Sequence, residues 1–369
     1  MSNTTNPLTL LKAEWVQTIR TEAAQAEKHG KPTKKVLSLV NDQDWLKIMA
    51  PSAYGGKQMS LPDVLQLEEA LACADGSLGW FVTLCSGAGW FGGRMNADFA
   101  KKIFGTEKVC LAGSGAVTGT ANLKNGNYTV NGKWPYATGA TEATAFTANC
   151  MLTENGKPVN DDKGKQKVIS IVLLKSEVLA NADWNSFGMT GAGTGSFEVK
   201  DLSVSEERVF DMAAEATVTS ALYYYPFHQM AEATLAINLS GMAFHFMDLC
   251  QQMINDKNNA EKIPHVDLNS LQDTFNTLMH KFQTARQKLY YAVDMSWQVC
   301  AANKDISQSV LYKVSAAASV CTYAIRNCVN TLYPYCGMQS ANKDSEINRV
   351  WRDIHTAGQH SMLVGDGTF

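Results

Sequence analysis

The sequence predicts an α+β multidomain chain: an N-terminal all-helical domain (1–106), a middle β-sandwich or barrel domain (107–212) and a C-terminal four-helix bundle (213–369). Two observations predict it. The period of the apolar residues changes twice, from helical to strand-like near residue 107 and back to helical near 215. The second helical stretch then sustains a heptad-like seam through Leu268, Leu271, Phe275, Leu278, Phe282, Ala285, Leu289, Ala292, Ser296 and Val299.

The elements follow in order. Leu8, Leu11 and Trp15 open an amphipathic stripe, and Lys34 to Met49 read as a further helix. Pro51-Ser-Ala-Tyr-Gly-Gly56 stops it. Ser60 is placed to cap a new helix with Pro62 in its first turn, and Ser77 to Phe91 reads as an apolar helix of small residues. In the middle stretch Asn125-Gly126, Asn131-Gly132 and Asn155-Gly156 signal tight turns between short β-rich runs. Val168 to Leu174, broken only by Ser170, is a buried strand, and Asn160 to Lys167 a charged loop. Beyond 215, Met230, Ile237, Gly241, Phe244 and Ile254 share one helix. Val310, Val314, Ala317, Cys321, Ala324 and Cys328 repeat the seam spacing on another. Gly337 stops a helix, and Ile347, Val350 and Ile354 belong to the last one. Asn255 to Asn259 reads as the loop between the first two bundle helices.

Composition bounds the function. The 369 residues are 45% hydrophobic and 18% charged with a formal net charge of −3, and no Lys/Arg block exceeds a pair. Nucleic acid and an anionic membrane surface are therefore not expected partners. The strongest apolar run is far too short to span a bilayer, and residues 1–11 lack the pattern of a signal peptide. A cytoplasmic protein is expected. The nine cysteines are scattered without C-x-x-C, which fits buried free thiols and suggests no metal site.

Five segments in order carry a resemblance. They are Pro51-Ser-Ala-Tyr-Gly-Gly56 with Glu68 to Trp80; Gly113-Ser-Gly-Ala-Val-Thr-Gly119; Tyr128-Thr-Val-Asn-Gly-Lys-Trp-Pro-Tyr-Ala-Thr-Gly139; Trp184 to Ser196; and Arg349-Val-Trp-Arg-Asp353 followed by His355 and His360. With these the chain resembles the acyl-CoA dehydrogenase superfamily along nearly its whole length. Within it the chain is most similar to the two-component flavin monooxygenases, the group of the hydroxyphenylacetate hydroxylase oxygenase component and the dibenzothiophene monooxygenases.

The resemblance implies a flavin, FMN or FAD, between the β-domain and the bundle. It implies cofactor contacts at Trp134 (a ring wall), Thr138 and Gly139 (the ring edge), Ser114 and Thr118 (a small polar loop), and Gly193, Thr194 and Ser196. The last three lie in a glycine-dense turn that lets backbone approach a ligand. It implies catalytic histidines at His360 first and His355 second, where imidazole can hydrogen-bond an oxygen species or take a phenol proton near working pH. Arg352 and Asp353 are expected to pair and orient the last helix. His228, His245 and His280 read as structural. Of the aromatics Trp80, Phe81, Tyr223, Tyr224, Tyr225 and Phe227, most belong to core or interface, and some could line an apolar pocket.

The sequence departs from the family at Thr190, where relatives carry arginine, and at Thr138, usually serine. The stretch His355 to Ser361 contains no carboxylate, the base that acyl-CoA dehydrogenases use; the next is Asp366. No nicotinamide fingerprint is present. The resemblance therefore implies an oxygenase component that takes reduced flavin from a separate reductase and uses O2 on a small apolar or aromatic substrate, as a homotetramer. Alternatives are an acyl-CoA dehydrogenase or oxidase, and a non-catalytic protein that keeps the flavin fold.

Overall fold

The computed structural model describes residues 6–259, 267–302 and 305–364. The chain opens with α1 (Ala13–His29), α2 (Lys34–Asp42), α3 (Leu61–Ala74), α4 (Gly76–Gly87) and α5 (Ala97–Phe104). The stretch expected as one helix to Met49 ends at Asp42. Asp44 takes a left-handed φ of 51°, which breaks the ladder, and Trp45–Lys47 form a separate 3-10 turn. Gly56 is required at the following break, since a Cβ there would lie 2.1 Å from the Ala50 carbonyl oxygen. Ser60 caps α3 by accepting from the Asp63 N–H at 3.3 Å, and Asp75 caps α4 by accepting from Leu78 at 2.9 Å. The apolar helix expected to reach Phe91 tightens at Ala88 into a 3-10 segment ending at Gly93.

The middle strands are β1 (Leu111–Lys124), β2 (Asn127–Ala137), β3 (Ala145–Glu154), β4 (Lys157–Pro158), β5 (Val168–Leu174), β6 (Leu179–Asn181), β7 (Gly195–Ser205) and β8 (Val209–Phe210). They form one sheet in the order β6-β7-β2-β1-β3-β5-β8, with β4 on β3. Only β1 and β3 run parallel. Asn125-Gly126 and Asn155-Gly156 make two of the three expected tight turns, both residues of each pair having positive φ. Asn131-Gly132 does not turn. It lies inside β2 at a shift of register against β7, and Gly132 is kept small by the Gly119 backbone and the Trp134 ring. The sheet is strongly curled. Phe146 on β3 and Phe197 on β7 are three strand spacings apart, roughly 14 Å if flat, yet their ring centroids are 4.7 Å apart. Trp134, Phe146, Phe197 and Val204 fill the space the curl encloses.

The chain then continues as α6 (Ala221–Tyr224), α7 (Phe227–Asn259), α8 (Leu268–Ala301), α9 (Gln308–Leu332), α10 (Glu346–Ala357) and α11 (Ser361–Val364). α7 is the axis of the bundle. It touches α3 and α4 on one side and α8, α9 and α10 on the others, so Ala233 through Ala243 are all buried. Residues 255–259, expected as a loop, are the last turns of this helix. No helix among the described residues is long and apolar enough to cross a membrane.

Arg352 and Asp353 do not pair. Successive helical residues point about 100° apart, so the two side chains serve different neighbours. Arg352 binds Glu27, the Phe187 carbonyl and the Lys343 carbonyl. Asp353 is buried and accepts from the Met189 N–H at 2.5 Å and from the Ser77 hydroxyl at 3.2 Å.

Candidate active site

A cavity of about 220 Å3 lies where the sheet meets α4 and α7. Its two walls differ in chemistry. The helical wall is mostly apolar, with Phe91, Phe227, Met230 and Leu235, interrupted by Thr83 and Thr234. The sheet wall is polar, with Ser114, Thr147, Asn149 and Ser170.

Strand geometry assembles the sheet wall. Thr147 and Asn149 are two residues apart on β3 and so face the same side. Asn149 and Ser170 are directly opposite across the β3–β5 pair. Ser170 Oγ donates to Asn149 Oδ1 at 2.8 Å. Asn149 Nδ2 donates to the carbonyls of Ser114 and Gly115 at 3.5 and 3.3 Å, and Thr147 Oγ1 to the Ala112 carbonyl at 3.5 Å. With these protons committed, Thr147, Asn149 and Ser170 present acceptor oxygens, while Ser114 Oγ, which accepts from the Ala116 N–H at 3.2 Å, keeps its own proton to donate.

Thr138 forms one rim. It is buried, and its Oγ1 accepts from Thr194 Oγ1 at 3.4 Å, which leaves its own proton for a ligand. Two glycines hold the loops around it. Gly139 has φ 77°, donates to the Ala192 carbonyl, and would place a Cβ 2.5 Å from Cys85 Sγ. Gly193 has φ 65°, and its Cβ would lie 2.5 Å from Thr141 Oγ1. Both positions therefore exclude other residues.

His360 stands at the other rim, edge-on to Trp80 with ring centroids 6.0 Å apart. It precedes α11, and its Nδ1 accepts from the Met362 N–H at 3.3 Å. That bond assigns the proton of the neutral ring to Nε2. Burial pushes the imidazolium pKa below its usual value, so the neutral donor form prevails at neutral pH. Among the described residues lining the cavity, His360 alone is titratable.

The sequence-predicted residues thus divide. Ser114, Thr138 and His360 line the cavity, with Gly139, Gly193 and Thr194 shaping the loop behind Thr138. The others lie outside it. Trp134 is fully buried in the sheet core, stacked on Phe197, with Nε1 donating to the Asn149 carbonyl at 2.9 Å. It supports the polar wall from behind instead of forming it. Thr118 is exposed and donates to the Lys133 carbonyl at 2.6 Å. Ser196 donates to Asp183 at 2.6 Å. His355 packs on Trp351, one helical turn earlier, at 4.4 Å. Of the aromatics singled out, Phe227 reaches the cavity. His245, read as structural, is buried against Glu346 at 3.1 Å.

Thr147, Asn149, Ser170, Thr83 and Thr234 were not anticipated. A signal existed for each: a polar residue on an otherwise apolar buried strand or helix face, as with the lone Ser170 in its run.

A planar ring system fits these walls. One face would meet the apolar side chains of the helical wall, and its polar edge would meet the Thr138 hydroxyl. The volume is below the ~300–1,000 Å3 usual for drug-sized pockets, enough for one ring system. No Lys or Arg lines the cavity among the described residues, so it suits a flavin ring and not the phosphate tail.

Residues 233–364 match the family model described as acyl-CoA dehydrogenase, C-terminal domain. The chain is similar to the flavin-dependent monooxygenase oxygenase subunit HsaA of Rhodococcus jostii strain RHA1, 19% identical over 95% of each chain. Among solved structures it is similar to a 3-HSA hydroxylase from Rhodococcus sp. RHA1, with TM-score 0.87 and 19% identity, covering 97% of this chain and 92% of that one. It is also similar to XiaF from Streptomyces sp. in complex with FADH2, with TM-score 0.85 and 17% identity over 96% and 93%. The fold is shared with these solved structures along nearly the whole chain.

Proposed function

We propose that this chain, folded as an acyl-CoA dehydrogenase, is the oxygenase component of a two-component flavin-dependent monooxygenase. It takes reduced FMN or FAD from a separate reductase and uses O2 to oxygenate a small apolar or aromatic substrate. The observation that carries this reading is the pairing of cavity walls around His360, with no carboxylate among the described lining residues. Oxidation of an acyl thioester needs a carboxylate base at the ring. An aromatic oxygenation needs a dry apolar wall, an ordered polar wall and one tunable proton, which is what the cavity contains. The names of the relatives support the same reading.

When bound, the flavin supplies the two electrons and the site of oxygen activation. The chain's own residues supply the rest. Thr138 orients the ring edge with its free proton, backed by Thr194 and Gly139. The apolar wall of α4 and α7 excludes water. His360 holds a proton at Nε2 that it can lend to oxygen or to a substrate oxygen. Oligomerisation, expected as a tetramer, would cover the outer faces of α8 and α9, where Tyr291 and Tyr312 are exposed.

Stopped-flow mixing of the anaerobic protein and reduced FMN or FAD with oxygen tests the proposal. A lasting near-UV transient distinct from oxidised flavin is expected, and the preferred flavin will be the one that prolongs it. Immediate return of oxidised flavin would favour dehydrogenase or oxidase chemistry, and absence of binding a non-catalytic role. His360→Ala should lower substrate oxygenation roughly 10²-fold, the usual worth of a positioned acid or base, while reduced flavin still binds. Undiminished oxygenation would remove His360 from the mechanism.

A further inference from the structure

Behind the apolar wall lies a polar cluster that the reading above does not use. Glu68, on α3, is fully buried. Its Oε1 accepts from Ser86 Oγ at 3.4 Å, while Oε2 has no hydrogen-bond partner among the described residues. Thr83, one turn before Ser86 on α4, stands beside the carboxyl group and favours its anion. Thr83 Oγ1 in turn accepts from Asn238 Nδ2 of α7 at 3.1 Å. Thr83 also lines the cavity. Thr83 thus stands between a buried acid, a buried amide and the cavity.

The hydroxyl has one proton to give and two lone pairs, one of them filled by Asn238. With Glu68 ionised, the Thr83 proton turns back onto the carboxylate, and the cavity sees an acceptor. With Glu68 protonated, the acid's own proton can meet Thr83 oxygen, and the Thr83 proton turns to the cavity as a donor. We propose that Glu68 is a positioning residue: through Thr83 it sets whether the helical wall offers a ligand a hydrogen-bond donor or an acceptor. This rests on the reading that the cavity holds an aromatic ligand, but not on any flavin chemistry.

Burial pushes the Glu68 pKa up to about 8, against the smaller opposing pull of Ser86 and Thr83. The groups facing it from α4 and α7 are the uncharged Ser86, Thr83 and Asn238. On α3 itself the adjacent Glu69 is committed to Arg286 of α8. His360 is the one titratable group lining the cavity among the described residues, and its pKa is lowered. It is therefore already neutral where Glu68 titrates. At neutral pH the wall is a donor. The opposite sheet wall offers the oxygens of Thr147 and Ser170 beside the uncommitted Ser114 proton, so the resting cavity is matched to a ligand with an acceptor toward α4.

The test is calorimetric binding of two probes to the flavin-free full chain between pH 6.5 and 9.5: acetophenone, which only accepts, and indole, which only donates. Acetophenone should weaken about fivefold across the titration, the worth of one neutral hydrogen bond, and indole should strengthen, with a shared midpoint. Both trends should vanish in Glu68→Gln. They should vanish also in Thr83→Val, where the infrared carbonyl band of the protonated acid must still titrate. A trend that survives in either variant overturns the proposal, as do flat affinities in the unsubstituted protein or failure of both probes to bind. If Glu68→Gln does not fold, Thr83→Val decides alone. These results do not depend on oxygen chemistry, so failure here and failure of the monooxygenase reading are distinguishable.

Discussion

Two buried carboxyl groups make stability depend on pH in a direction opposite to ordinary surface acids. Desolvation raises Glu68 to about 8. Desolvation, aided by the nearby Asp75 charge, raises Asp353 to about 7. A folded-state pKa above the unfolded value means that the folded chain binds more protons between the two. The stability from this source is complete below the unfolded pKa values, 4.5 for Glu68 and 3.8 for Asp353, and is lost progressively as pH climbs from there to the folded values of about 8 and 7. For Glu68 the full loss is at most about 4–5 kcal/mol. We expect the melting temperature to fall from pH 5 to about pH 8, and Glu68→Gln, which cannot ionise, to remove the part of the fall that Glu68 contributes between about pH 4.5 and 8. A melting curve whose pH dependence is the same in both proteins would contradict the buried, protonated state of Glu68. The residue was in view in the sequence only as part of a motif. Its burial needs α4 and α7 folded over α3, contacts that no local pattern encodes.

At the level of elements, the long seam shows what periodicity can and cannot deliver. Leu271, Phe275, Leu278, Phe282, Ala285 and Leu289 are buried on α8 as the heptad spacing predicts. Beyond them Ala292 and Val299 are only half-buried, and Val293 and Cys300 take the core positions. A straight helix of 3.6 residues per turn drifts about 20° per heptad from a 3.5-residue pattern. After three heptads the buried face has moved by most of a residue. On α9 the buried residues Leu311, Val314, Ala318, Cys321, Ile325 and Cys328 keep the heptad spacing throughout, and Val310, Ala317 and Ala324 fall just beside that seam from the first turn. The helices were legible because their pattern is long; the breaks at Asp44 and Ala88 were not, because left-handed and 3-10 turns leave no periodic mark. One interaction between elements lies deeper than pattern. Glu69 of α3 receives Arg286 of α8 at 2.5 Å, Tyr290 at 2.8 Å and Ser240 at 2.5 Å. Removing one partner of such a pair leaves a buried charge. Arg286→Ala should therefore cost about 3–5 kcal/mol, read by denaturant unfolding. Pairing it with Glu69→Leu should recover part of the loss. An Arg286→Ala loss below 1 kcal/mol would mean that water reaches the pair.

On the scale of the molecule, the cavity exists only where three parts of the chain meet. This explains why the sequence yielded the domain order and some of the site, but neither Thr147, Asn149 and Ser170 nor the displacement of Trp134 into the sheet core. A strand residue's face is legible from alternation, whereas which face meets the bundle depends on curl and docking. Asp353 marks the junction: it joins α10 to Ser77 at the start of α4 and to the backbone of Met189. Met189 sits at φ 55°, a left-handed conformation that costs a side-chain-bearing residue about 1–2 kcal/mol. The Asp353 bond offsets that cost and fixes the loop that continues into Gly193 and Thr194, the support of Thr138. Asp353→Ala would leave the Met189 N–H buried without a partner, a loss of about 1–3 kcal/mol. Because the loop serves the rim and Asp353 does not line the cavity, the change should weaken reduced-flavin binding as well as lower the melting temperature. It should also accelerate amide exchange over residues 186–196. Asp353→Asn keeps a carbonyl oxygen for Met189 and should restore most of all three. Flavin affinity unchanged in Asp353→Ala would show that the rim is held from within the sheet domain alone, and that the junction serves stability without reaching the site.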